Sequence, residues 1–327
     1  MKFGGLMVLW VLLLTSEWAC ENPYKVQDKA KLDASWDSSW SPNGMQNEPS
    51  PVSVKVAPLI STRFENLDHF KTVVSLRYEN KLSVSDSVYT VHLNFNDRGI
   101  QVHHSLSSGL KQGELLPIQH AEFSSKMKFA RLHPYVVRHR KELEVAQLLS
   151  RRRADIFGSK DVAFYDLAEA SFRRISTPEL AFIRSRDSSE KGFINTFNHV
   201  TAQAILTSFF TEELADLIGD LHERQYMPEL TTGLFKETVL EDTINNPVDN
   251  YVDIINNEIG QMLGKELKSK YQIRRETHVT PELLAAYLND LHAYYMRALH
   301  IGLEPYRTID PVVIKFSKKL NKLLQKL

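Results

Sequence analysis

Residues 249–260 read DNYVDIINNEIG. Asp253, Asn256, Asn257 and Gly260 recur at i, i+3, i+4 and i+7, the spacing that stacks side chains on one face of an α-helix. Val252, Ile254, Ile255 and Ile259 occupy its other faces. A stripe of one acid, two amides and a glycine beside so much apolar surface needs an explanation, because buried polar groups are costly unless they satisfy one another.

Two upstream segments carry matching stripes. In GFINTFNHVTAQAILTSFF, Asn195, His199 and Gln203 are spaced by four, with Phe197, Val200, Ile205, Leu206 and Phe209 around them. In TEELADLIGDLHERQY, Thr211 can cap a helix, and Glu212 and Glu213 lie near its positive end. Leu214, Leu217, Ile218 and Leu221 form its apolar stripe, and His222 and Glu223 follow at the edge. Three polar stripes within residues 191–264 are expected to meet.

Two imidazoles and two carboxylates are a ligand set for zinc, manganese or iron. His199, His222 and Asp253 are the expected ligands of a divalent metal. Glu223 and Asn257 are the catalytic candidates. Glu223 would be a fourth ligand or the base that activates a metal-bound water, and Asn257 would orient ligands or hold substrate. Asn195 and Asn256 would support them, and Gly260 would let a helix or a substrate approach closely. The competing reading is a polar network that fixes helix register without chemistry.

These segments resemble a bacterial domain family of unknown function that recurs in polymorphic-toxin and phage-associated proteins. Its pattern runs N-x-F-R-H-x-x-x-W, then a-H-E, then M-D-x-x-N-N-x-x-G. The matches are NTFNH, LHE and VDIINNEIG, carried by Asn195, Phe197, His199, His222, Glu223, Asp253, Asn256, Asn257 and Gly260. The family's arginine is Asn198 in this chain and its tryptophan is Gln203. A looser likeness is to helical phosphohydrolases with an H…HD…D ligand order, in which Glu223 stands where those proteins have Asp. The ligand set and the looser likeness imply a metal-dependent hydrolase; the two departures from the first family's pattern favour a non-enzymatic binding protein on the same scaffold.

The chain begins MKFGGLMVLWVLLLTSEWAC, with Lys2, an apolar run from about Leu6 to Leu14, and the only cysteine of the chain, Cys20. The run is short for a bilayer span and fits a secretory signal over residues 1–20. A cysteine there, preceded by Ala19, resembles the acylated cysteine of a bacterial lipoprotein, although Glu17 stands where the typical motif has Leu. The expectation is an exported protein of the cell envelope, held to the membrane through lipidated Cys20. Ordinary secretion into the periplasm or medium is the alternative. No second thiol exists for an intramolecular disulfide, and no Asn-X-Ser/Thr sequon occurs.

Residues 21–52 are polar, rich in Ser, Asp, Asn and Pro, and read as a flexible tether. Residues 53–118 read as a small β-rich region. KTVVSLRY, SVYTVHLNFN and IQVHH are rich in β-branched and aromatic residues, with NDRG as a turn between the last two. Residues 119–327 read as a helical domain. PYVVRHRKELEVAQLLSRRRADIFG is one helical stretch ending at Gly158. TPEL opens helices at Thr177 and again at Thr280, each with proline at the first helical position. PVVIKFSKKLNKLLQKL is amphipathic, with Val312, Phe316, Leu320 and Leu323 or Leu324 on its apolar side.

The expected fold class is therefore mainly α, a helical bundle with a small antiparallel β region. Forty cationic and forty acidic residues balance, so charge gives no reason to expect nucleic acid as a partner. G-x-S-x-G, P-loop, G-x-G-x-x-G and H-E-x-x-H motifs are absent. His103, His104, His292 and His300 read as structural.

Overall fold

The computed structural model describes residues 52–82, 87–233 and 247–327. The signal segment, Cys20 and the tether up to residue 51 lie outside the described residues. No described helix is long and apolar enough to cross a membrane.

The strands are β1 (Val74–Leu82), β2 (Ser87–Asp97) and β3 (Ile100–Ser107), in antiparallel order β1-β2-β3. Asp97 pairs with Ile100, so Arg98 and Gly99 form a two-residue loop. Both have positive φ, 52° and 81°, which matches the right-handed twist of the strands it joins. Alternation puts Val91, Leu93 and Phe95 of β2 and Val102 and Leu106 of β3 in the core. The same alternation turns His104 to that face.

The helices are α1 (Leu67–Lys71), α2 (Leu115–His120), α3 (Phe123–Leu132), α4 (Pro134–Arg138), α5 (Arg140–Ser150), α6 (Ala154–Phe157), α7 (Phe164–Phe172), α8 (Pro178–Ala181), α9 (Asn195–Phe209), α10 (Glu212–Tyr226), α11 (Glu229–Thr232), α12 (Pro247–Lys270), α13 (Pro281–Leu299) and α14 (Pro311–Leu324). The chain is mainly α with a small antiparallel sheet, as its sequence predicts. Sheet and helices belong to one compact unit spanning residues 51–327.

The centre is built by α9, α10 and α12. Asn195 meets Asp253, His199 meets Asn257 and Ser208 meets the Gly264 carbonyl, so α9 and α12 run parallel. Lys265 pairs with Glu212 while Asn250 reaches the Tyr226 carbonyl, so α10 runs antiparallel to α12. Glycines set the spacing. A Cβ on Gly260 would lie 2.7 Å from the Val200 carbonyl oxygen, and one on Gly264 would lie 2.6 Å from that of Ala204. α13 lines the far side of α9, where Tyr295 bonds Thr201 and Tyr287 bonds Ser208.

Residues 52–60 form an extended strap laid into the core. Val52, Val54 and Val56 are buried, so Val52 belongs to the fold and not to the tether. Arg297 donates to the Val52 and Val54 carbonyls, and Tyr294 donates to that of Val56.

Three local expectations are corrected. The stretch before Gly158 is broken into α4, α5 and α6. The break after α5 follows from tertiary bonds: Arg152 grips Asp166, the Arg153 amide donates to Asp161, and the Arg151 carbonyl accepts from Lys319. The two TPEL starts diverge. The Thr280 hydroxyl caps the Leu283 amide and opens nineteen residues of α13. The Thr177 hydroxyl instead accepts from the Gly302 amide, and α8 stops after one turn. In α14 the buried stripe is Val313, Phe316, Leu320 and Leu323, with Val312 half-buried. Lys319 is buried too, bonded to Asp161 and to the Arg151 and Val162 carbonyls.

Candidate functional site

The three polar stripes meet between α9, α10 and α12. His199 is the hub. Its Nδ1 lies 2.9 Å from Asn257 Oδ1 and 3.9 Å from Glu223 Oε1, while its Nε2 lies 3.3 Å from Asp253 Oδ2. Glu223 and Asp253 thus face opposite nitrogens of one imidazole. The Asn257 amide nitrogen donates to Glu223 over 3.3 Å, so Asn257 bridges hub and acid. The Asn195 amide donates to Asp253 at 2.9 Å and to Asp249 at 3.3 Å.

His222 approaches from α10, its ring centre 6.1 Å from that of His199. Its Nδ1 lies 3.1 Å from Gln112 Oε1, a carbonyl oxygen that can only accept. A neutral His222 therefore carries its hydrogen on Nδ1 and its lone pair on Nε2. Burial, with the charge of His199 adding to it, pushes the His222 pKa down to about 4, so the ring is neutral at pH 7.

The two acids are held against ionisation. Burial first, and then the charge of Asp253, pushes Glu223 well above the usual carboxylate range. Burial raises Asp253 to about 7, against the opposing pull of His199. A bound cation would relieve both.

Among the described residues, one ligand atom from each of His199, His222 and Glu223 falls within 4.8 Å of the others, the convergence a metal ion needs. Asp253, expected as the third ligand, is not part of that group. It partners the other side of the His199 ring. Asn256 turns away from the cluster altogether. Its amide oxygen accepts from the Leu59 amide at 2.9 Å and its nitrogen donates to the Leu59 carbonyl at 2.8 Å. Gly260 serves helix contact, packing on Val200 and Gln203. Gln203 is buried, with its amide near Gln261, and Asn198 keeps a buried Oδ1 with no hydrogen-bond partner.

A second cluster adjoins the first. His104 of β3 has Nδ1 2.8 Å from Glu258 and Nε2 2.9 Å from Asp220, and Asp216 lies 3.8 Å away. Arg224 also grips Asp220. Burial disfavours the charged imidazole, but the hydrogen bonds and charges of Asp220 and Glu258 outweigh it and raise His104 to about 10. Burial and then Asp220 lift Asp216 to about 6. A crevice of about 10 Å³ joins the clusters, walled by His104, Asp220, Glu223, Asn257 and Glu258 among others. That is about the space one water needs.

The sequence reading missed this second cluster. Two signals for it were present. Val102, His104 and Leu106 alternate on one strand face, which seats an imidazole among core residues. Asp216, Asp220 and Glu223 recur at i, i+4 and i+7 on α10, an acidic stripe.

Chemically the arrangement can hold a cation, or hold protons in its place. The crevice beside Glu223 has room for a single water. Searches against protein-family models, curated proteins and solved structures found no match to the chain.

Proposed function

We propose that this chain is an exported envelope protein whose helical domain is tied together by one buried divalent metal ion, held by His199, His222 and Glu223 in a structural role. The carrying observation is the convergence of those three donors within 4.8 Å. Imidazole nitrogens with one carboxylate suit zinc, and also manganese or iron. The ion would take His199 Nδ1 in exchange for its hydrogen bond to Asn257 Oδ1, and Asp253 would orient the ring through the opposite nitrogen, the usual outer partner of a metal-bound histidine. The small space on the Glu223 side favours a structural ion over turnover, since the adjoining crevice of about 10 Å³ admits little beyond water. Asn195, Asn256 and Asn257 are all engaged in hydrogen bonds, as an internal clamp requires.

Export and membrane attachment rest on the N-terminal signal pattern and on Cys20 as its lipidated residue. The likeness to the toxin- and phage-associated family enters on the same terms. In that likeness Asn198 and Gln203 stand where the family pattern has arginine and tryptophan.

A second reading, a metal-dependent hydrolase, is favoured by one observation. If His199 and His222 hold the ion, open coordination positions remain for water, and Glu223 would stand beside that water as its base and not as a ligand. The metal would supply an activated water there.

The test is the metal content and thermal midpoint of the purified chain, with His222→Ala and Glu223→Gln alongside. One ion per chain, lost in both variants, with a midpoint that falls on chelation, supports the metal clamp. No ion and a midpoint indifferent to chelator overturn it and leave a metal-free polar network. Hydrolysis of a small phosphoester by the loaded chain, abolished in Glu223→Gln, moves the reading to the hydrolase.

A further inference from the structure

We propose that α3 and the turn after it dock on an anionic lipid surface. α3 has ten residues and buries none of them. Phe123, Met127 and Leu132 are 61%, 51% and 61% exposed. Phe123 and Met127 are four apart and so share a face. Folding has left this helix with an apolar side that no described residue covers.

Charge identifies the occupant. Residues 123–141 hold six cations, Lys126, Lys128, Arg131, Arg138, Arg140 and Lys141, and no Asp or Glu. The whole chain has zero net charge, so this is local segregation and not general basicity. Among the described residues Lys126, Lys128 and Arg131 form no ion pair. Lys126 and Arg131 flank Phe123 and Met127 on the helix surface. Apolar side chains flanked by cations suit the plane of a bilayer, with the rings and thioether among the acyl chains and the cations at the phosphates. A second copy of the chain fits poorly, because a symmetric contact would set α3 against its own like charges.

The test uses the full chain with Cys20→Ser, so that an introduced Met127→Cys is the only thiol, carrying an environment-sensitive fluorophore. Phosphatidylcholine vesicles are compared with vesicles of phosphatidylcholine and phosphatidylglycerol. The expected result is a blue shift with the anionic vesicles that is absent with the neutral ones and reversed by high salt. Adding Lys126→Glu, Lys128→Glu and Arg131→Glu raises the anionic lipid concentration needed for half of that shift by more than about tenfold, because each cation near an anionic surface contributes. The N-terminal apolar segment can tether the chain to either vesicle type, but it cannot shift a probe at residue 127. No shift with anionic vesicles, or an equal shift with neutral ones, overturns the proposal. So does a concentration-dependent shift without vesicles, which would assign the face to a second copy.

Discussion

Gly260 lies against Val200 so closely that a Cβ on the glycine would sit 2.7 Å from the valine's carbonyl oxygen and 2.7 Å from the Gln203 Cβ. Real Cβ contacts are not that short, so α9 and α12 are as near as two backbones can be at this point. The approach is what brings the His199 ring to Asn257 and Asp253. Gly260→Ala is therefore expected to force the helices apart and cost about 1–3 kcal/mol in urea unfolding, the usual scale for overpacking. If the ion is bound, its affinity should fall as well, since displacing α9 moves His199 relative to His222 and Glu223 on α10.

Asn256 and Leu59 give a second, independent handle. The Asn256 side chain closes both backbone bonds of Leu59, in a position fully removed from solvent. Asn256→Ala strands the buried Leu59 amide, while the Leu59 carbonyl keeps Thr196 as a donor. A buried group left without its partner costs about 1–3 kcal/mol. We expect a loss near the upper end of that range and protease sensitivity in residues 52–60. Metal stoichiometry should be unchanged, and a lost ion in this variant would mean that Asn256 belongs to the site after all.

The contrast between Asn256 and Asn257 shows where reading the sequence stops. Helical spacing in DNYVDIINNEIG puts both amides on the polar face, and the structure keeps both buried. Spacing cannot say which neighbour each one meets. Asn257 faces α10, whereas Asn256 faces a strap 197 residues earlier in the chain. His104 escaped for a related reason. Its partners Asp220 and Glu258 lie on two helices more than a hundred residues away, and only the register of β3 aims it at them. Strands β1 to β3, helices α9, α10 and α12, and the meeting of His199, His222 and Glu223 were legible because each rests on a local period. The break after α5 was not, because Asp161, Asp166 and Lys319 impose it from elsewhere in the chain.

Glu223→Gln separates the carboxylate's charge from its shape. Burial raises the folded pKa of Glu223 well above its unfolded value. A raised folded pKa gives stability that is complete below the unfolded pKa and is lost as pH rises toward the folded one. With chelator present, wild type and Glu223→Gln should match near pH 4, and the variant should be the more stable of the two at pH 8. Without chelator, loss of the ligand should instead cost the variant its ion. A variant less stable than wild type at pH 8 in chelator would mean that the ionised carboxylate, not the neutral one, holds Asn257.

His104 and Glu258 set the behaviour at higher pH. The bonds from Glu258 and Asp220 hold the imidazole protonated up to about 10, against an ordinary value of 6.5. The sign again follows from a raised folded pKa: the stabilisation is complete below about 6.5 and drains away as pH climbs toward 10. Between pH 7 and pH 9 the folded chain keeps a proton that the unfolded chain has lost, so unfolding free energy should fall by about 1.4 kcal/mol per pH unit. Asp216, raised to about 6, and Asp253, raised to about 7, lose their share mainly below this window. His104→Gln removes the titrating group and retains a donor for one acid. Measured in urea with chelator present, and in a Glu223→Gln background so that Glu223 does not titrate, its unfolding free energy should be lower than that of its parent at pH 7 and nearly flat from pH 7 to pH 9. Parallel slopes in the two proteins would show that His104 is not charged in this window, and the second cluster would then be a neutral hydrogen-bond network around Asp220.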